Sequence, residues 1–212
     1  IRDRNFIMLT DEGDKAIIQS PYYLRTRLEV PQDIDLDHVY KAKLIHTTAV
    51  HLEVSEYVIQ EARKNKGEEL LVSFDLEKQV ISAYGQEKIL NLIDLVDILV
   101  PQKLGIMELT QKEYPAEAAK ALMEKKTNLK LIVVTLGGEG CLITYRKGSS
   151  IQQKVFAAFN VKPIDVTGAG DAFNAAFAVG YLKGWDFVKI AEIANAAGAL
   201  NCLKIGARAG MC

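Results

Sequence analysis

Cysteine is scarce in this chain. The three present, Cys141, Cys202 and Cys212, are scattered without a C-x-x-C pair or metal-ligand spacing, which argues against a disulfide scaffold or a structural zinc site and for reduced thiols in a cytoplasmic protein. No apolar run approaches the roughly 20 residues that span a membrane, because proline, asparagine or a charge interrupts each one. Neither sign of charge dominates. Lys and Arg number 26 against 27 Asp and Glu, for a formal net charge of -1, and no basic stretch offers a footprint for nucleic acid. The pattern G-x-x-x-x-G-K-[ST] is missing, so the chain is not a P-loop enzyme. Histidine is limited to His38, His46 and His51. None pair at helical spacing, and all three read as surface or satisfied core residues. The opening Ile1-Arg2-Asp3-Arg4 is no secretory signal. The chain starts without Met a few residues before a strand pattern, and the expectation is that something upstream is absent.

What is present is ordinary globular material: of 212 residues, 49% are hydrophobic and 25% charged, enough for one large α/β domain with a sizeable core. Arg4 to Leu9 and Lys15 to Ser20 flank Asp11-Glu12-Gly13-Asp14 and read as a hairpin. From Lys43 onward apolar strand runs alternate with amphipathic helices. Strands are expected at 43–50, 69–74, 96–100, 129–136, 141–145 and 151–156, and helices at 33–41, 52–64, 86–95, 115–125, 172–182 and 186–203. Continuous apolar strands between helices predict a mainly parallel sheet covered on both faces. No internal repeat or domain boundary stands out, so residues 1–212 read as one domain.

The stretch that carries chemistry is Asp165-Val166-Thr167-Gly168-Ala169-Gly170-Asp171-Ala172-Phe173-Asn174. It leads into a helix with no charge until Lys183, a pattern expected of a helix buried nearly all round. The first turn of such a helix has free N–H groups, and glycines leave them accessible to an anion. A carboxylate beside an anion site is unfavourable without a task; Asp171 is placed to take a proton from an alcohol attacking a phosphoryl group. A second stretch, Thr135-Leu136-Gly137-Gly138-Glu139-Gly140, follows a strongly apolar strand. Its glycines allow close approach of backbone to a ligand, although a tight strand-to-strand turn needs the same residues. In doubly wound sheets ligands lie beyond the carboxyl ends of the strands, where both stretches and Asp75 are expected.

The string D-x-T-G-A-G-D-A-F-N resembles the C-terminal signature of the ribokinase-like (PfkB) carbohydrate kinase family, and Thr135–Gly140 resembles that family's T-L-G-x-x-G nucleotide loop. The resemblance in element order covers essentially the whole chain, with the specific motifs in its last third. It implies a ribokinase-like three-layer sandwich, with the hairpin at 4–20 as a lid element. It further implies a phosphotransferase with an alcohol group as acceptor, using ATP and Mg²⁺ to phosphorylate a small-molecule sugar. Asp171 would be the base, with Gly168, Ala169 and Gly170 holding the phosphoryl group. Thr135, Gly137, Gly138 and Gly140 would border the nucleotide, and Asn195, in the family's A-N-A-A segment, would flank the adenine. Ile205–Gly210 resembles the G-A-R-x-G loop, which with Asp165 and Thr167 would form a monovalent-cation (K⁺) site. Ala194, Ala197, Gly198 and Asn201 fall at helical spacing, and close helix packing by small residues is the reading favoured for the alanines.

Two departures from the family pattern are visible. Gln102-Lys103-Leu104-Gly105 stands where the family has N-x-x-E, whose acid organises water around magnesium, and Asp75-Leu76-Glu77-Lys78-Gln79 replaces D-x-N-x-R. Complete members also carry an N-terminal segment with sugar-contacting residues, so nucleotide binding is expected to be better represented here than sugar binding. Expected partners are a sugar, with neither nucleic acid nor membrane, and a homodimer as the oligomer considered. The alternatives are a nucleoside kinase, or a nucleotide-binding regulatory module without kinase activity.

Overall fold

The computed structural model describes the backbone of Phe6–Leu9 and Lys15–Ile18 and all of residues 34–211. The described residues form two compact units. One holds 34–157; the other joins the first two strands to 158–211.

Strands β1 (Phe6–Leu9) and β2 (Lys15–Ile18) pair antiparallel, Phe6 opposite Ile18 and Leu9 opposite Lys15, which is the expected hairpin. The rest of that unit is built on α7 (Ala169–Leu182) and α8 (Phe187–Asn201). Asp186 caps α8 by accepting the Lys189 N–H at 3.0 Å. The two helices lie close because glycine stands at each end of their contact. A Cβ on Gly180 would come 3.0 Å from Ile190 Cγ1, and one on Gly198 would come 3.2 Å from the Ala169 carbonyl oxygen. The small-residue face of α8 therefore packs as expected. Ala172, Phe173, Phe177 and Gly180 form the buried stripe of α7. The expectation of burial all round is not met: Ala175 is exposed, with Val179 at 49% and Leu182 at 44%. The low polarity of α7 comes largely from alanine, which is tolerated at a helix surface as readily as in a core.

The 34–157 unit carries a six-stranded sheet in the order β3-β4-β5-β6-β7-β8: β3 (Leu44–Thr47), β4 (Leu71–Leu76), β5 (Ile98–Pro101), β6 (Leu131–Thr135), β7 (Cys141–Lys147) and β8 (Ser150–Phe156). The first four strands run parallel, β7 runs antiparallel to β6, and β8 runs antiparallel to β7. Helices α1 (Leu36–Val39), α2 (Leu52–Lys66), α3 (Lys78–Tyr84), α4 (Gln86–Ile93), α5 (Lys103–Thr110) and α6 (Pro115–Lys125) connect them. Pro115 opens α6, where its missing N–H costs nothing. One face of the sheet, including Val72, Phe74, Leu76, Leu99, Ile132 and Val134, packs into the core with Ile59 and Ala62 of α2, Leu92 of α4 and Met123 of α6. The alternate residues Ile98, Val100, Leu131, Val133 and Ile143 are buried as well, as in strands covered on both faces.

Two short helices, α3 and α5, were not legible in the sequence. They span 7 and 8 residues, in stretches where no helix was expected. The expected strand start at Glu69 is a 3₁₀ turn, Gly67–Glu69. At its other end β4 runs on to Leu76, so Asp75 lies inside the strand, opposite Val100, rather than beyond its end. At the opposite ends of the strands, Asp97 ties four elements together: its Oδ2 accepts from Arg63 at 2.5 Å and from the Val72 N–H at 2.8 Å, and Lys130 lies 3.0 Å from Oδ1.

Candidate functional site

The opening turn of α7 is set by contacts remote in sequence. Ile164 and Asp165 donate their N–H groups to the Cys202 carbonyl at the end of α8, at 2.7 and 3.2 Å. Asp165, 2% exposed, accepts the Thr167 N–H on Oδ1 and the Gly206 N–H on Oδ2, both at 2.8 Å. The carboxylate thereby braces the approach to α7 against the tail loop. Gly168 follows with φ 79 and ψ 0 as the residue before α7. A Cβ there would lie 2.2 Å from the Ala207 carbonyl oxygen, so this position needs glycine both for its dihedral and for its neighbour.

Within α7 the Ala169 N–H donates to Val166 and the Ala172 N–H to Gly168. Those of Gly170 and Asp171 have no acceptor among the described residues. Both residues are exposed. Two unmade N–H donors thus stand beside the Asp171 carboxylate at the positive end of a helix dipole. Such an arrangement can hold an oxyanion and accept a proton from a group next to it.

Behind this turn, Asn201 is fully buried and its Nδ2 donates to the Thr167 carbonyl at 2.8 Å. Asn201 Oδ1 and Thr167 Oγ1 are buried with no partner among the described residues. Orphaned buried oxygens are uncommon and costly. Together with Asp165 they make an all-oxygen set, which suits a hard cation rather than a thiolate- or imidazole-preferring metal. No cluster of three or more His, Cys, Asp or Glu fit to hold a metal occurs among the described residues. In the sequence Asn201 had no role beyond its helical spacing with Ala194, Ala197 and Gly198; its single signal was an amide on an otherwise Ala- and Gly-rich helix face. Asn195 is also buried on α8, three residues before Gly198. The Cys202 thiol is pushed above its ordinary range, first by burial and then by the Asp165 carboxylate.

The other unit holds the second glycine stretch. Gln102 is bridged in parallel to Thr135 at the carboxyl ends of β5 and β6. Beyond Thr135 the chain makes a 3₁₀ turn over Gly137–Glu139, closed by Leu136 N–H to the Gly140 carbonyl at 2.8 Å. Gly137 (φ 62) and Gly140 (φ 103) take left-handed conformations. Gly138 does not, and a Cβ on it would meet nothing within 4 Å. The turn itself therefore requires Gly137 and Gly140 but not Gly138. Lys103 Nζ reaches Glu139 Oε1 at 3.0 Å.

The departure at Gln102–Gly105 has a packing reason. Gly105 is buried, and a Cβ there would lie 2.7 Å from the Leu76 carbonyl oxygen. No acidic side chain fits this position. Glu108 is one turn further along α5 and faces Lys78 at 3.8 Å. At the end of β3, His46 Nδ1 bonds Ser73 Oγ at 3.1 Å and Thr47 Oγ1 bonds Ser55 Oγ at 2.8 Å, so His46 is a satisfied histidine.

A family model described as pfkB family carbohydrate kinase matches residues 4–211, across both units. The chain belongs to this family. Among curated relatives, an uncharacterized sugar kinase of Archaeoglobus fulgidus is 29% identical over 205 residues, 97% of this chain and 78% of its own length. A ribokinase of Lactococcus lactis is 34% identical over 122 residues, covering 58% of this chain and 37% of the relative. Solved structures share the fold. An adenosine kinase from Sinorhizobium meliloti superposes with a TM-score of 0.80 at 21% identity, covering 97% of this chain and 62% of that one. An E. coli protein in complex with ATP and Mg²⁺ gives 0.81 at 21% identity, covering 99% and 67%. The fold is accordingly the ribokinase-like α/β fold, with a mainly parallel sheet. This chain spans 62% of the adenosine kinase and little over a third of the ribokinase. No helix among the described residues is long and apolar enough to cross a membrane.

Proposed function

We propose that this family member is an ATP-dependent kinase that transfers a phosphoryl group to a hydroxyl of a small sugar. The observation that carries the reading is the exposed Asp171 carboxylate beside the free N–H groups of Gly170 and Asp171 at the start of α7. In this reading Asp171 takes the proton of the attacking hydroxyl as the new O–P bond forms. Gly168, Ala169 and Gly170, with the N–H of Asp171, hold the equatorial oxygens as charge develops on them. These dipoles are fixed before reaction because Asp165, Gly206 and Gly168 lock the turn.

Thr135, Gly137, Gly138 and Gly140 border the nucleotide in this reading, and Asn195 lies by its base. Support for the loop comes from Gly138, which is glycine although neither its dihedral nor a neighbouring atom demands it. Magnesium brought with ATP would be held chiefly by phosphate and water and would neutralise charge there; with Gly105 in place of the family's acid, the chain contributes no carboxylate from that turn. Asp165, Thr167 and Asn201 would hold a monovalent cation such as K⁺ behind the turn, satisfying the two orphaned oxygens. The β1–β2 hairpin is assigned to the lid, and the buried Cys141 and Cys202, neither of them in a disulfide, accord with a cytoplasmic setting.

A sugar is preferred to a nucleoside because the sugar kinase and the ribokinase are relatives by sequence, whereas the adenosine kinase likeness is one of fold. The test is a coupled assay over a panel of sugars and nucleosides, run on wild type and Asp171→Ala. Turnover on a sugar that falls by about 10²–10⁴-fold in the variant is expected. Near-wild-type turnover in Asp171→Ala would remove it as the base, and turnover on nucleosides alone would replace the acceptor.

A further inference from the structure

We propose that Lys103 is a ligand for nucleotide phosphate, held in place by Glu139 until a nucleoside triphosphate takes over the contact. The inference rests on the reading that Thr135–Gly140 borders the nucleotide. The Gln102–Thr135 bridge sets the first residue of α5 directly beside that loop, and Lys103 Nζ reaches Glu139 Oε1 at 3.0 Å. Within Gly137–Gly140, Glu139 is the only residue with a side chain. Left alone, its carboxylate would repel a polyphosphate lying along the loop; paired with Lys103, it does not.

Three features argue that the pair is built to be exchanged rather than to hold the fold. Lys103 and Glu139 are 42% and 69% exposed, and ion pairs that open to solvent contribute little to stability. Lys103 also stands in the first turn of α5, which contains no acidic residue. A cation there opposes the helix dipole, so its charge serves something outside the helix. Finally, an ammonium has three donors on a flexible stem. It can turn to a phosphate oxygen while keeping, or releasing, Glu139.

The experiment is calorimetric titration of the full protein with MgATP and with adenosine, for wild type, Lys103→Gln, Glu139→Gln and the double variant. Melting curves verify that each remains folded. Lys103→Gln should weaken MgATP by about tenfold, the scale of a lost charge-assisted hydrogen bond, and leave adenosine unchanged. Glu139→Gln should tighten MgATP by about twofold to fivefold, because it frees the lysine and removes a negative charge. The double variant should bind MgATP more tightly than Lys103→Gln, because the unpaired carboxylate is gone, and more weakly than Glu139→Gln, because the lysine is missing. If both single variants weaken MgATP equally, or if Lys103→Gln weakens adenosine as much as MgATP, the pair is a structural clamp on the loop and the inference is overturned. Wild-type protein that binds no MgATP would overturn the reading of the loop itself. Wild-type binding that Lys103→Gln leaves unchanged would overturn this inference alone.

Discussion

Gly168→Ala is the sharpest test of how the α7 turn is built. The new Cβ would sit 2.2 Å from the Ala207 carbonyl oxygen and 3.0 Å from the Ala207 Cα and carbonyl carbon, the first more than about 1 Å inside ordinary contact. Alanine at φ 79 adds a left-handed penalty of about 1–2 kcal/mol. Relieving the clash means moving the tail loop. That loop is pinned by the Gly206 N–H on Asp165 Oδ2 at 2.8 Å and by Gly210, whose own Cβ position lies 2.5 Å from Asn201 Cα. Losing the Gly206–Asp165 bond, with a charged acceptor, costs about 1.5–3 kcal/mol. The sum is roughly 2.5–5 kcal/mol, or a fall in Tm of roughly 5–20 °C for a chain of this size. Calorimetry reads the total, and amide exchange at Gly206 reads the local opening. Gly170→Ala is the matching control. Nothing lies within 4 Å of its Cβ position and it is already in helix, so the fold should gain up to about 1 kcal/mol. Its turnover should nevertheless fall by about 10²-fold, because a methyl displaces the transferring group from the free N–H. A Gly168→Ala melt within about 2 °C of wild type, with Gly206 still protected, would refute this account of the turn.

Other expectations follow from the same structure. Gly138→Val should leave the melt cooperative and unshifted, since no atom lies near its Cβ, yet weaken ATP binding by about tenfold; an unchanged ATP dissociation constant would return the loop to a purely structural turn. Asp97→Ala strands the Val72 N–H and two cations and should cost about 2–3 kcal/mol in denaturant unfolding, with a near-neutral result contradicting its role as a hub. The raised Cys202 thiol predicts an alkaline weakness. The neutral thiol is favoured in the fold, so its contribution is intact below the ordinary thiol value of about 8.5 and is lost as pH rises through the raised one. Tm should fall over that window, and less steeply in Cys202→Ala; identical slopes would assign the loss to other groups.

Much of this protein could be read from local strings. The hairpin, the strands β5 to β8 and the helices α6 to α8 emerged from periodicity and turn residues, because backbone dihedrals respond to near neighbours. The motif Asp165–Asn174 pointed to the start of α7, and the fold class followed from strand–helix alternation. The sequence could not say what each glycine in the motif is for. In G-A-G, Gly168 is held by a carbonyl from residue 207 and Gly170 faces open space, a division that depends on a tail nearly 40 positions away. Asp165 and Gly206 are joined across 41 positions, a grouping that only the family resemblance suggested, and Thr167 and Asn201 across 34, a pairing that nothing in either local string marks. The absence of an acid at Gly105 was visible, but its cause, the Leu76 carbonyl 2.7 Å away, was not. Local preference determines which residues are helix or strand. Which polar groups meet, and which are left without a partner, is decided only when distant segments close on one another, because hydrogen bonds and steric limits act through space and not along the chain.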